Sequence, residues 1–329
     1  MGKNSIKADP EIWAHAEQIL RASTRVLAIT HVSPDGDAIG SLLGLTLILR
    51  AIGKQVQPVI QDAPHPRFEY LNGLRDIRQR PTGDFDLIVT VDAADRSRIG
   101  TVLTSEKHDA LPMVVFDHHI TNTQYGNVNV IDSTVASTSE MMLRLSKQMQ
   151  VPMTAEIATA LLTGVITDTL AFRTSNTTPD TLASAIELMH SGAPLTEITR
   201  KALVMRSWEQ IRLQGGGAVA AHLENRIAHA AITRKLRKEL GVREDRGDGG
   251  LVGALITANE VDIAAVFVEQ VSGDIDIGLR AVPGFDVAQV AITLGGGGHP
   301  AAAGCTLSGP MRDAVNRVLP LLREAAQKR

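Results

Sequence analysis

Short β-branched runs alternate with helical patterns over the first half of the chain. Arg25–Thr30 (RVLAIT) reads as a strand buried on both faces, and Ala38–Ile52 as an apolar helix stopped by Gly53. Further strands are predicted at Gln55–Gln61, Asp86–Val91 and Met113–Phe116, with an alternating one at Asn127–Ile131. Helices are predicted at about Ser137–Gln150 and Thr154–Thr167. Another starts near Thr178, a suitable N-cap, with Pro179 at the first helical position. Strands alternating with helices imply an α/β domain with a mostly parallel sheet flanked by helices. From Ser191 to about Gly217 the pattern turns more polar and helical. We read 191–217 as a linker between a domain at 1–190 and a smaller α/β domain at 218–329. In the latter, strands are predicted at Arg226–Thr233, Asp262–Gln270 and Asp274–Arg280, and helices at Val287–Thr293 and Arg312–Ala326.

Composition narrows the function classes. Lys and Arg number 33 against 36 Asp and Glu, a net charge of −3. A chain that coats long nucleic acid through its phosphates carries a basic excess, so long polymers are not expected as partners. Six Phe, two Trp and two Tyr are too few for an extended base-stacking groove. A single cysteine, Cys305, excludes a disulfide framework and a Cys-based zinc site within the chain, and suits a reducing compartment. The N-terminus lacks the apolar stretch of a signal peptide. The longest apolar run, around Leu42–Leu49, is far short of the roughly 20 residues that span a bilayer. These features predict a cytoplasmic protein with no membrane partner. The basic run Arg234–Lys238 reads as a solvated helix face beside Leu236 and Leu240, rather than a nucleic-acid patch.

The chemistry lies at the ends of the predicted strands. The first runs into His31-Val32-Ser33-Pro34-Asp35-Gly36-Asp37, the third into Asp92, and the fourth into Asp117-His118-His119. In a parallel sheet these ends share one edge, where open α/β sheets place their ligands. Converging carboxylates repel one another, and a divalent cation relieves that cost. Imidazole together with carboxylate suits Mn²⁺, Fe²⁺ or Zn²⁺. Taken singly, each Asp also reads as a turn or cap residue, Asp37 capping the following helix. Asp168 ends an apolar helix, against the helix dipole, and joins the set of candidates.

The order His31-x3-Asp35-x-Asp37, Asp92, Asp117-His118-His119 and Thr167-Asp168-Thr169 resembles the DHH phosphoesterase superfamily. Gly295–Gly298 with His299, followed by Ala301–Gly304, resembles the DHH-associated C-terminal domain. Arg173-Thr174-Ser175-Asn176-Thr177-Thr178 is similar to the nanoRNase/pAp phosphatase branch. The resemblance implies two divalent ions, usually Mn²⁺, that activate a bridging water, with the active site in a cleft between the domains. His31 and Asp35 would hold one ion, Asp37, His118 and Asp168 the other, and Asp92 would bridge both. His119 would contact the scissile phosphate and Asp117 would orient the histidines. Arg280, His299 and the glycine backbone of Gly296, Gly297 and Gly298 would bind substrate phosphate, with Arg173 a further candidate. The implied activity is hydrolysis of short RNA or linear dinucleotides to mononucleotides, and removal of the 3′-phosphate from 3′-phosphoadenosine 5′-phosphate (pAp). A homodimer is implied as well. The chain departs from the branch at Gly278 and Ala281, where the phosphate-binding Arg is commonly flanked by Ser. Two alternatives compete: a manganese-dependent inorganic pyrophosphatase, and a non-catalytic nucleotide sensor on the same fold.

Overall fold

The computed structural model describes residues 5–103, 106–243 and 247–327, with the backbone alone described at 106, 107 and 299. The chain forms two compact units, Met1–Met205 and Arg206–Arg329. The stretch 191–217, expected as a linker, is largely helical, and the units part within it.

The first unit begins with α1 (Pro10–Ala22), capped by the Asp9 side chain, which accepts from Glu11 N at 2.9 Å. The sequence reading omits this helix. It buries Trp13, Ala16 and Leu20, and Ile19 packs partly buried against the same core. There follow β1 (Arg25–Ile29), α2 (Gly36–Ala51), β2 (Gln55–Val59), β3 (Leu87–Val91), a short α3 (Glu106–Asp109), β4 (Met113–Asp117) and β5 (Val128–Ile131). Then come α4 (Thr138–Gln148), α5 (Ala155–Asp168), α6 (Pro179–His190) and α7 (Leu195–Thr199). The five strands are all parallel, in the order β2-β1-β3-β4-β5.

The central strands are covered on both faces, which is why they show no polar alternation. Val26, Ala28 and Val89 face one core cluster with α2 and α5, while Leu27, Ile29, Ile88 and Val115 face the other. Pro58 sits in β2 at the sheet edge, where a missing N–H is tolerated. Two glycines bring backbones into contact on the helical face. A Cβ on Gly40 of α2 would fall 2.5 Å from the Ala160 carbonyl oxygen of α5. A Cβ on Gly164 would fall 2.0 Å from Ser139 Oγ and 2.3 Å from Asp37 Oδ1. Helix α5 therefore lies directly against a candidate ligand, an approach that a Cβ at 164 would block.

The second unit contains α8 (Trp208–Val219), β6 (His222–Glu224), β7 (Ile227–Ile232), α9 (Arg234–Glu239), α10 (Leu251–Leu255), β8 (Ile263–Glu269) and β9 (Ile275–Ala281). It closes with α11 (Ala288–Thr293), β10 (Gly297–His299), β11 (Ala302–Leu307) and α12 (Met311–Gln327). The mixed sheet runs β10-β11-β9-β8-β7-β6, with only β7 and β8 parallel. Strand β9 alternates: Ile275, Ile277, Leu279 and Ala281 enter the core, and Asp276, Gly278 and Arg280 take the opposite face.

The basic run of α9 corrects one expectation. Arg234, Lys235 and Lys238 are exposed, but Arg237 is fully buried. Its guanidinium donates to the carbonyls of Arg243 (3.3 Å) and Gly247 (3.1 Å). It works inside the fold as a loop anchor. Among the described residues, no helix is long and apolar enough to cross a membrane.

Candidate metal centre

The ends of β1, β3 and β4 and the last residue of α5 bring their polar groups together. Three groups of potential ligand atoms each lie within 4.8 Å of one another: His31, Asp35 and Asp92; Asp37, His118 and Asp168; and Asp92, His118 and His119. All six residues expected to hold metal fall in these groups. Asp92 and His118 each belong to two.

Local structure aims each side chain. Asp35 is the N-cap of α2, and its Oδ1 accepts from Asp37 N and Ala38 N, both at 3.0 Å. The cap role considered for Asp37 thus belongs to Asp35, which also stays within the first donor group. Asp37 sits in the first turn of α2, only 1% exposed. Its Oδ2 accepts from Thr138 N (2.6 Å) and its Oδ1 from Ser139 N (3.0 Å), the first two amides of α4. Asp92 follows β3 with a positive φ of 56°, a conformation that Asp tolerates better than most residues. His31 Nδ1 donates to the Val32 carbonyl at 2.7 Å, which leaves Nε2 facing Asp92 (3.7 Å) and Asp35 (3.9 Å) as a lone-pair donor. His118 Nε2 lies 3.3 Å from Asp168 and 3.6 Å from Asp92.

Asp117 is fully buried and touches His119, not His118. It accepts from His119 Nδ1 at 2.7 Å, and its other oxygen accepts from Asn122 Nδ2 at 2.6 Å. The Nδ1 of His119 that faces Asp92 at 3.8 Å is therefore already committed, and Nε2 is left available.

Asp168 is followed by a strained turn. Leu170, Ala171 and Phe172 take positive φ in succession (47°, 58° and 65°), each costing roughly 1–2 kcal/mol. Buried Thr169 holds the turn, donating to the Val165 carbonyl and accepting from Phe172 N. The Arg173 Nε donates to the Leu170 carbonyl at 2.8 Å. Arg173 thus clamps this turn, just beyond Asp168.

The residues that sequence reasoning missed are Thr138, Ser139 and Asn122, which hold the carboxylates in place. A signal for the first two exists: Ser137-Thr138-Ser139-Glu140 has the spacing of a helix N-terminal cap, and Ser137 does cap α4.

The electrostatics fit a cation. Burial, with the Asp92 charge adding to it, holds Asp37 well above the usual carboxylate range. The same two causes, with Asp35, push Asp168 up to about 8. Burial also pushes Asp92 up, but the facing His31, His118 and His119 outweigh it and hold Asp92 below the usual range. Burial pulls His119 down, yet its bond to Asp117 and the Asp92 charge raise it to about 9. Burial likewise opposes His31, which Asp92 and Asp35 raise, and it lowers His118. Carboxylates packed at this cost beside imidazoles form a donor set that divalent ions satisfy, His31 releasing its proton on binding.

A stability prediction follows from these directions. A carboxylate whose folded pKa exceeds its unfolded value leaves stability intact below the unfolded value. It withdraws stability as pH rises toward the folded one. For Asp168 the window runs from 3.8 to about 8, and Asp37 acts in the same sense. His119 adds a loss between 6.5 and about 9; His118 opposes below 6.5. In chelator, Tm should therefore fall between about pH 5.5 and pH 8, and Asp168→Asn should flatten the fall. Calorimetric scans across that range check this; an undiminished slope in the variant would contradict it.

In the second unit, an open cavity of about 680 Å³ is lined by Arg280 and Gly278 of β9, Gly295 and Gly296, and Gly304 and Thr306 of β11, over Val252, Val266 and Val268. Arg280 and Gly296 thus share one cavity. Gly278 lies on the same face, while Ala281 points into the core, so only the first departure from the expected serines alters the cavity lining. Gly296 and Gly298 have a packing reason of their own. A Cβ would meet the Gly304 carbonyl oxygen at 2.2 Å in one case and the Ala302 carbonyl oxygen at 2.5 Å in the other. At Gly297 it would meet nothing within 4 Å. The side chain of His299 lies outside the described residues.

An all-parallel sheet that gathers these potential ligands at one edge, followed by a small mixed-sheet unit, fits a metal-dependent phosphoesterase of the DHH type. Residues 25–165 match the model of the DHH family, N-terminal domain, and residues 245–328 that of the DHHA1 domain. The chain belongs to the DHH family, in the branch that contains NrnA. It is 35% identical to the bifunctional oligoribonuclease and PAP phosphatase NrnA of Thermus thermophilus, over 96% of both chains. It is 27% identical to the NrnA of the same description from Bacillus subtilis, over 84% of this chain and 87% of the relative. An exopolyphosphatase-related protein from Bacteroides fragilis shares the fold with a TM-score of 0.88. That match covers 100% of this chain and 98% of the other at 24% identity.

Proposed function

We propose that the chain hydrolyses short oligoribonucleotides and linear dinucleotides to mononucleotides, and pAp to AMP, using two divalent ions, most suitably Mn²⁺. The observation that carries this reading is the pair of donor groups His31–Asp35–Asp92 and Asp37–His118–Asp168 at one sheet edge. The activities named for the 35% identical relative support the substrate class.

His31 and Asp35 would hold one ion, Asp37, His118 and Asp168 the other, with Asp92 between them. Bound there, such ions neutralise the phosphodiester charge and make water a strong nucleophile near neutral pH. The protein's own groups do the rest. Asp117 accepts the His119 Nδ1 proton, fixes the ring and favours its protonated form, so that the imidazolium can donate from Nε2–H to the substrate phosphate. Arg280 offers a planar fork to a phosphate in its cavity. No side-chain nucleophile is required, and Cys305 is buried with its thiol pushed up by burial.

Rates on pAp and on a 5′-phosphorylated ribodinucleotide, compared side by side with Mn²⁺ bound, test the reading. Both should turn over. Arg280→Ala should raise the KM for the dinucleotide about tenfold, with kcat little changed, as expected when uniform binding of an anion is lost. No turnover of either substrate by the metal-loaded chain would overturn the assignment.

A further inference from the structure

The two donor groups meet at a residue that is not itself a ligand. The Thr138 amide donates to Asp37 Oδ2 at 2.6 Å, and the Thr138 hydroxyl donates to Asp92 Oδ1 at 3.1 Å. Among the hydrogen bonds of the described residues, no other residue joins Asp37 to Asp92. Thr138 is fully buried, and Asp37 and Asp92 are 1% and 2% exposed, so water does not compete for these bonds.

The segment that carries Thr138 is itself held from behind. Glu140 accepts from Ala136 N (3.0 Å) and from the Thr181 hydroxyl of α6 (3.1 Å). Asn176 Nδ2 donates to the Ala136 carbonyl at 3.1 Å. The Thr174–Thr178 stretch and the start of α6 therefore brace the first turn of α4. Ser139, next to Thr138, is fully buried, and its amide donates to Asp37 Oδ1. Its hydroxyl lies beside Gly164 and the Asp37 carboxylate.

We propose that Thr138 is a positioning residue that fixes the spacing of Asp37 and Asp92, and through it the affinity of the chain for divalent cations. The inference rests on the metal-dependent reading above. A ligand carboxylate free to swing loses its place in one donor group or the other. Losing the groups that orient ligands typically weakens metal binding about 10- to 100-fold.

The test is calorimetric titration of the metal-stripped chain with Mn²⁺. Thr138→Val keeps the β-branched shape without the hydroxyl, and Thr138→Ala serves if valine prevents folding. Either should bind Mn²⁺ about 10- to 100-fold more weakly than wild type. At limiting Mn²⁺ kcat should drop, recover as Mn²⁺ is raised, and leave the KM for pAp unchanged. Thr138→Ser keeps the hydroxyl and should retain wild-type affinity. Thr46→Val is the control: an equally buried helical threonine whose hydroxyl bonds only the Leu42 carbonyl, it should leave affinity unaltered. Wild-type Mn²⁺ affinity in Thr138→Val or Thr138→Ala, or an equal loss in Thr138→Ser or Thr46→Val, would overturn the proposal alone. No Mn²⁺ binding by the wild-type chain would overturn the metal reading and this proposal with it.

Discussion

Asp92→Asn is expected to lower kcat at least about a thousandfold, with little change in KM or in the fold. Asp92 is the one carboxylate that belongs to two of the three donor groups found among the described residues. It is 2% exposed, and three imidazoles face it: His31 at 3.7 Å, His118 at 3.6 Å and His119 at 3.8 Å. Asparagine copies its shape and shares its tolerance of positive φ, so the turn after β3 should survive. What the variant removes is the charge. A thousandfold corresponds to about 4 kcal/mol of transition-state stabilisation. Steady-state rates on pAp, alongside a thermal melt, check the prediction. Activity within tenfold of wild type in a folded Asp92→Asn chain would remove Asp92 from its central position.

The parallel sheet and its site edge were largely legible in the sequence. RVLAIT, DLIVTV and MVVF are β-branched runs without alternation, as strands covered on both faces must be. The polar residues stand where each run stops, so periodicity located both the strands and the candidate donors at their ends. Helix α1 was passed over although its signal is present: Ile12, Trp13, Ala16, Ile19 and Leu20 recur at helical spacing behind Asp9 and Pro10. Hairpin strands β10 and β11 were missed because glycine and alanine carry little strand signal. Arg237 misled for a different reason. Periodicity placed it on the solvated face, whereas its bonds to two loop carbonyls, a tertiary matter, take it inside. Within the site, the candidate donor residues were readable one by one, and the structure gathers them into donor groups. The hydrogen bonds that aim them were not readable. Asp37 and Thr138 are 101 residues apart, and nothing local in either segment announces that one carboxylate will take the first amides of a distant helix. The Ser137–Glu140 cap marked where that helix begins, but not what its amides face. In the same way, Asp117 could be assigned to orienting histidines, but the choice of His119 over His118 waited on geometry.

Removal of the metal carries the largest expected effect of all, complete loss of activity. The candidate ligands are aspartates and histidines, and burial together with the neighbouring carboxylate charges holds Asp37 and Asp168 above the usual carboxylate range. Without ions the site has no group able to neutralise a phosphodiester and generate a nucleophile together. The loss should be reversible, since the fold is built from two hydrophobic cores in the first unit that do not involve the ligands. The most direct test is to strip the chain with chelator, titrate Mn²⁺ back and follow phosphate release from pAp and mononucleotide release from a short ribo-oligomer. The expected result is no turnover in chelator and full activity for both substrates once the ions are bound. Undiminished turnover in chelator, or none at saturating Mn²⁺, would contradict the account.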